Sequence, residues 1–152
     1  MSTARSPPNS VEPAGACACD RPHECIDRRP GRYLVAVRLL ALDDGVSAST
    51  GTISDRLSVT PASATEMVDR LAADGLLVRE PRGDVWLTDR GATVAAELAW
   101  RRDLVRRFLD EISGDDVASR DATTDPEVAY RIGYHLPSDA VDRLAGLATD
   151  GQ

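Results

Sequence analysis

The residues with the most obvious chemistry lie close to the start of the chain. Cys17, Cys19, His23 and Cys25 place three thiols and an imidazole within nine residues, the donor inventory of a Cys3His zinc site. Their spacing, C-x-C-x3-H-x-C, departs from the usual two separated ligand pairs, each on its own turn. Three readings stand for this loop. It is a metal site for a divalent transition metal such as Fe, Mn or Zn, a thiol redox switch, or a tail whose thiols are incidental. Clustered cysteines in a reducing compartment favour metal or redox chemistry over structural disulfides. The remaining histidine, His135, stands alone and is ordinarily a structural residue, with weak metal-ligating capacity. There is no G-x-S-x-G, no phosphate-binding loop and no dinucleotide fingerprint, so an enzyme is not expected.

The loop sits in a segment, residues 1–29, rich in Ser, Pro, Gly and Ala and without apolar periodicity, which reads as a disordered arm. Beyond it, Tyr33, Val37 and Leu40 fall at helical spacing with Ala36, giving a helix over Arg32 to Leu42. Val46 to Ser49 is an extended link, and Ser49 or Thr50 caps a short helix over Thr52 to Leu57. Thr60 is a natural N-cap and Pro61 a natural first helical residue, because proline has no N–H to leave unsatisfied there.

The helix from Pro61 to about Asp74 carries Ala64, Met67, Val68 and Leu71 as its buried stripe. Ala62, Ser63, Thr65, Glu66, Asp69 and Arg70 then face outward. Leu76-Leu77-Val78 pairs with Val85-Trp86-Leu87 across the tip at residues 80–84, a hairpin carrying Arg79 and Arg82. Helix, turn, helix and hairpin in this order predict a winged helix-turn-helix that lays its second helix in the DNA major groove. Thr50, Thr52 and Pro61 are expected at the interface with the outward face of that helix, and Arg79 and Arg82 are expected on phosphates or in the minor groove.

Thr88 caps a long helix to about Ile112, with Val94, Leu98, Val105, Phe108 and Ile112 on one side. Asp125-Pro126 opens another helix, and Ser138 opens a last one with Val141, Leu144 and Leu147. The expected fold is therefore mainly α with a small β-hairpin wing. It comprises an arm (1–29), a winged helix-turn-helix domain (30–90) and a helical dimerisation region with a degenerate metal-sensing site (91–152). A homodimer through the C-terminal helices matches palindromic half-sites.

Composition bounds the partners. There are 25 acidic and 18 basic residues, for a net charge of −7, and every basic residue is arginine. That balance opposes the phosphate neutralisation on which duplex binding depends. A halophilic source accounts for an acidic, lysine-free, Ala- and Val-rich chain. The rival account is a protein-interaction module that keeps the fold without metal sensing or useful DNA affinity. No run of about eighteen apolar residues is present, so no membrane partner is expected and the protein reads as cytoplasmic.

From about Arg32 to Leu147 the chain resembles the DtxR/MntR family of metal-responsive transcriptional repressors. The likeness rests on Tyr33-Leu34, the block from Ile53 to Val68, Asp74-Gly75-Leu76-Leu77, the wing from Arg82 to Thr88, Arg107-Phe108-Leu109, and the ending from His135 to Leu144. The resemblance implies a dimer on operator DNA, with contacts at Thr60, Ala62, Ser63, Thr65, Glu66 and Arg70. It also implies a divalent metal between the first helix and the dimerisation helices. Positions that look like the family's ligand sites hold Arg32, Val35, Arg102, Arg106, Arg131, Tyr134 and His135; guanidinium has no lone pair to offer, and His135 is the one residue expected to coordinate a metal there. Two accounts follow. Arginines have replaced the metal, pairing with carboxylates or an anion, or sensing has moved to the Cys17 to Cys25 loop.

Overall fold

A computed structural model describes residues 26–42, 45, 47–81, 83–113 and 125–150. Its elements are α1 (Arg28–Leu42), β1 (Ala48–Ser49), α2 (Thr50–Leu57), α3 (Pro61–Ala73), β2 (Leu77–Arg79), β3 (Asp84–Leu87), α4 (Asp89–Ser113), α5 (Pro126–His135) and α6 (Ser138–Asp150). The described chain packs as two compact units. One is residues 29–96; the other is residues 26–28 with 97–150.

In the first unit, α1 begins at Arg28, four residues before the start expected from apolar spacing. Pro30 lies in its first turn, where the missing N–H costs nothing. Tyr33 through Val37 are all buried, so the middle of this helix is enclosed on every side, while its arginines lie toward the surface. Ser49 is the N-cap of α2. It forms a capping box in which its hydroxyl accepts from the Thr52 amide (3.1 Å) and the Thr52 hydroxyl accepts from the Ser49 amide (2.8 Å). The helix therefore starts at Thr50, two residues ahead of the expected start. It ends at Ser58, whose φ of 57° turns the chain into the left-handed region before α3.

Thr60 caps α3 by accepting from the Ser63 amide (3.1 Å), with Pro61 at the first helical position. Ala64, Val68 and Leu71 are fully buried, while Met67 is only half-buried. The helix closes in a Schellman motif. Gly75 adopts φ 81°, its amide bonds the Ala72 carbonyl (3.1 Å), and the Leu76 amide bonds the Leu71 carbonyl (3.0 Å). Leu71 and Leu76 are both buried, the apolar pairing that accompanies this motif.

The wing contains more than the expected hairpin. Leu77 pairs with Leu87, Val78 with Trp86 and Arg79 with Val85; the strand begins at Leu77, not Leu76. The segment read as an extended link supplies a third antiparallel strand, with Ala48 opposite Val85 and Ser49 opposite Asp84, so the sheet order is β1-β3-β2. A two-residue strand leaves no alternation for the sequence to display. Gly83, at φ 102°, makes the tip turn.

Thr88 joins the wing to α4. Its hydroxyl donates to the Gly75 carbonyl (2.7 Å) and accepts from the Gly91 amide (3.0 Å). At Gly91 a Cβ would lie 2.0 Å from the Leu76 carbonyl oxygen, so only glycine permits this approach.

The second unit is built on α4, α5 and α6. The stripe expected on α4 is buried at Leu98 and Val105, but Phe108 and Ile112 are exposed, and Leu147 of α6 is exposed as well. Asp125 caps α5 through the Glu127 amide (2.9 Å). The Tyr130 and Tyr134 hydroxyls each donate at 2.7 Å, to the carbonyls of Arg28 and Ile26. No helix among the described residues is long and apolar enough to cross a membrane.

Candidate nucleic-acid interface

The surface that could read DNA is the outward side of α3, and its exposure follows from the burial of the opposite side. With Ala64, Val68 and Leu71 fixed in the core, Thr60, Pro61, Ala62, Ser63, Glu66, Asp69 and Arg70 are exposed and Thr65 is half-exposed. The first turn presents short side chains, which let a helix enter a groove closely. Its positive dipole end favours a phosphate. The Thr60 and Ser63 hydroxyls are 2.9 Å apart and hydrogen-bonded to each other.

The other expected contacts fare unequally. Thr50 and Thr52 are half-buried, and the Thr52 hydroxyl also donates to the Ser49 carbonyl (3.1 Å), so it serves the capping box rather than a ligand. Arg79 on the wing forms an ion pair with Asp69 on α3. Its charge is thereby partly compensated, and the wing is tied to α3. Arg82 lies outside the described residues, as do Cys17, Cys19, His23 and Cys25.

Apart from His135, the positions that resemble family metal ligands carry a different chemistry. In the first unit, Arg32 donates through Nη2 to the Leu57 carbonyl (3.3 Å), and Val35 is buried. In the second unit, Arg102 is paired with Asp103 (2.9 Å), and the Tyr134 hydroxyl is bonded to the Ile26 carbonyl. Burial, with the Asp27 carboxylate adding to it and the Arg28 charge opposing, holds the Tyr134 phenol above its ordinary pKa, so it stays protonated and acts as a donor. Arg131 is exposed, and exposed His135 sets its ring edge-on to Tyr134 at 4.9 Å. Among the described residues, no three His, Cys, Asp or Glu side chains come together to hold a metal ion. These positions do not fit the family's divalent metal.

One residue that pattern reading passed over organises the second unit. Arg101 is 1% exposed. Its Nε pairs with Glu97 (2.9 Å), and its Nη1 donates to the carbonyls of Gly133 (3.1 Å) and Leu136 at the end of α5. A cation there gives a donor to carbonyls at the end of the helix and complements the negative dipole end. A Cβ at Gly133 would lie 3.0 Å from the Arg101 carbonyl, so the two helices approach backbone to backbone. The clue was positional, since residue 101 falls on the same helical face as Val94, Leu98 and Val105.

Comparison with known proteins bears on this arrangement. Residues 32–85 match the family model described as iron dependent repressor, N-terminal DNA binding domain. The HTH-type transcriptional regulator MntR of Lysinibacillus sphaericus is 33% identical over 119 residues, covering 76% of this chain and 78% of that protein. The chain belongs to the DtxR/MntR family. MntR of Geobacillus kaustophilus is 32% identical over 115 residues, with 76% and 77% covered. The manganese regulator SloR shares the fold with a TM-score of 0.65 at 21% identity, over 79% of this chain and 53% of SloR. IdeR of T. acidophilum gives 0.65 at 20%, over 80% and 54%. Members of the DtxR/MntR family are transcriptional regulators, not enzymes, and the wing and α3 described above lie largely within the matched segment.

Proposed function

We propose that this chain is a cytoplasmic, homodimeric transcription regulator that reads palindromic operator DNA with the face of α3 from Thr60 to Arg70. The observation that carries this reading is the first turn of that helix. It is rigidly capped, exposed and lined by Ala62, Ser63 and Thr65, on a helix whose other side is fixed in the core. Base discrimination would come from Ser63, Thr65 and Arg70, with Glu66 accepting from a cytosine amino group. Wing residues Arg79 and Arg82 would hold phosphates. Binding of full-length protein to promoter duplexes from its own genome tests this. Affinity at least about a thousandfold above that for random duplex is expected, and equal affinity for both refutes it.

Dimerisation through the second unit accounts for the exposed apolar end of α4, where Phe108 and Ile112 continue the buried stripe, and for exposed Trp100. Phe108→Glu is expected to yield a monomer by sedimentation. An unchanged dimer would place the interface elsewhere.

Metal control takes a different route here from that implied by the family. Iron and manganese are the metals named for its model and for SloR, but the corresponding positions hold arginine, valine and tyrosine, with His135 as a single imidazole among them. The remaining donor set in the sequence is Cys17, Cys19, His23 and Cys25, and divalent-metal binding is assigned to it. Native mass spectrometry of wild type and a Cys17→Ser/Cys19→Ser variant tests the assignment. Metal-free wild-type protein with full operator affinity refutes it.

A further inference from the structure

A cleft of about 510 Å³ opens beside the reading helix in the first unit. Arg29, Arg32 and Tyr33 from the start of α1 line one side, and Ser63, Glu66 and Arg70 of α3 line the other. Val59 and Met67 add an apolar wall. Three guanidinium groups against one carboxylate give the lining a formal charge of +2, in a chain whose net charge is −7. Arginines are here gathered on a small concave surface of an acidic protein, and guanidinium forks match the paired oxygens of phosphate and carboxylate. The volume lies within the range of small-molecule sites and is far larger than a single backbone phosphate needs. Tyr33 brings a phenol whose pKa is raised by burial, with Arg32 and Arg29 opposing, so it remains a hydrogen-bond donor at neutral pH.

We propose that this cleft is an effector site for a small organic anion carrying two or more phosphate or carboxylate charges. The apolar wall admits a short carbon skeleton, while Arg29, Arg32 and Arg70 clamp the charged ends. Glu66, the one carboxylate of the lining, opposes the anion and moderates its affinity. Ser63, Glu66 and Arg70 also belong to the surface proposed to face DNA, so anion and operator compete for them. By linkage, each weakens the other equally. Only this competition rests on the proposed DNA reading; the site itself does not.

Calorimetric titration of the full chain with pyrophosphate and with citrate, at ionic strength held constant with KCl, tests the proposal without DNA present. Saturable binding of at least one of them at one per chain is expected. Arg29→Gln, an exposed position, should weaken it about tenfold, the value of one charge-assisted hydrogen bond. Glu66→Gln should tighten it several-fold. Added pyrophosphate should then weaken operator binding beyond what an equal ionic strength of KCl does. Absence of saturable binding by either probe, or equal affinity in wild type and Arg29→Gln, overturns the proposal. If neither anion binds but Arg29→Gln lowers the salt slope of duplex binding by about one, the cleft belongs to the DNA backbone and the small-ligand proposal is likewise overturned. Anion binding by a protein that ignores DNA would leave the effector site standing and remove the operator reading.

Discussion

Arg79 on the wing is ion-paired with Asp69 on the reading helix. The pair joins two elements that are both proposed to lie against DNA, and it sets an acidic group beside a cation proposed to meet a phosphate. Both side chains are partly exposed, so the pair contributes at most about 1 kcal/mol to stability. Its larger consequence is for binding. Asp69→Asn is expected to raise operator affinity and to steepen the dependence of log K on log salt by about one, as a freed arginine neutralises a further phosphate. Arg79→Gln should lower affinity without that steepening. Anisotropy titrations across a KCl series measure both.

Gly91 and the Leu76 carbonyl define how closely α4 approaches the base of the wing. Gly91→Ala would force a backbone shift against a contact of 2.0 Å, and a loss of about 3 kcal/mol is expected by urea unfolding. Gly146→Ala is the matched control. Nothing lies within 4 Å of the added methyl, the site is helical, and a gain of about 0.5–1 kcal/mol is expected.

Arg101 satisfies three acceptors from a buried position. Arg101→Leu leaves the Gly133 and Leu136 carbonyls without that donor and should cost about 2–4 kcal/mol. Arg101→Lys should recover little, because an ammonium on a flexible stem does not reproduce a fork that reaches Glu97 and two carbonyls. Denaturant unfolding of the two variants separates loss of charge from loss of geometry.

The phenol of Tyr134 is held above its ordinary pKa near 10 by burial. Below pH 10 both folded and unfolded chains carry it protonated, and its contribution is fully present. Above pH 10 the unfolded chain releases the proton first, so stability falls until pH passes the raised folded value. Tyr134→Phe should lower stability by about 1 kcal/mol at neutral pH through loss of the bond to the Ile26 carbonyl. It should also make the alkaline decline shallower, which thermal melts between pH 8 and about 12 would show.

What the sequence disclosed, and what it hid, follows from the range of the forces involved. The Thr60-Pro61 start and Asp74-Gly75 stop of α3 were legible because capping is local, involving residues three or four apart. The two main strands of the wing were legible from their alternation and the glycine between them. The third strand was hidden, because Ala48 and Ser49 are defined by partners 35 or more residues away, not by their own pattern. The start of α1 at Arg28 was obscured by Pro30, which the first turn of a helix accepts. Arg101 drew no notice in the sequence because only the tertiary structure supplies the carbonyls that justify its burial. Glu66 and Arg70 were legible as outward residues. That Arg70 lines a cleft with Arg29 and Arg32 depends on how α1 packs beside α3, which no spacing rule encodes.

The central claim is that α3 reads specific DNA in a two-fold arrangement, and selection of duplexes from a random library by the full-length chain tests it most directly. The expected product is a palindromic consensus with half-sites about one helical turn apart, whose enrichment is abolished by Ser63→Ala/Arg70→Ala. Recovery of no consensus, or of the same consensus with that double variant, would contradict it.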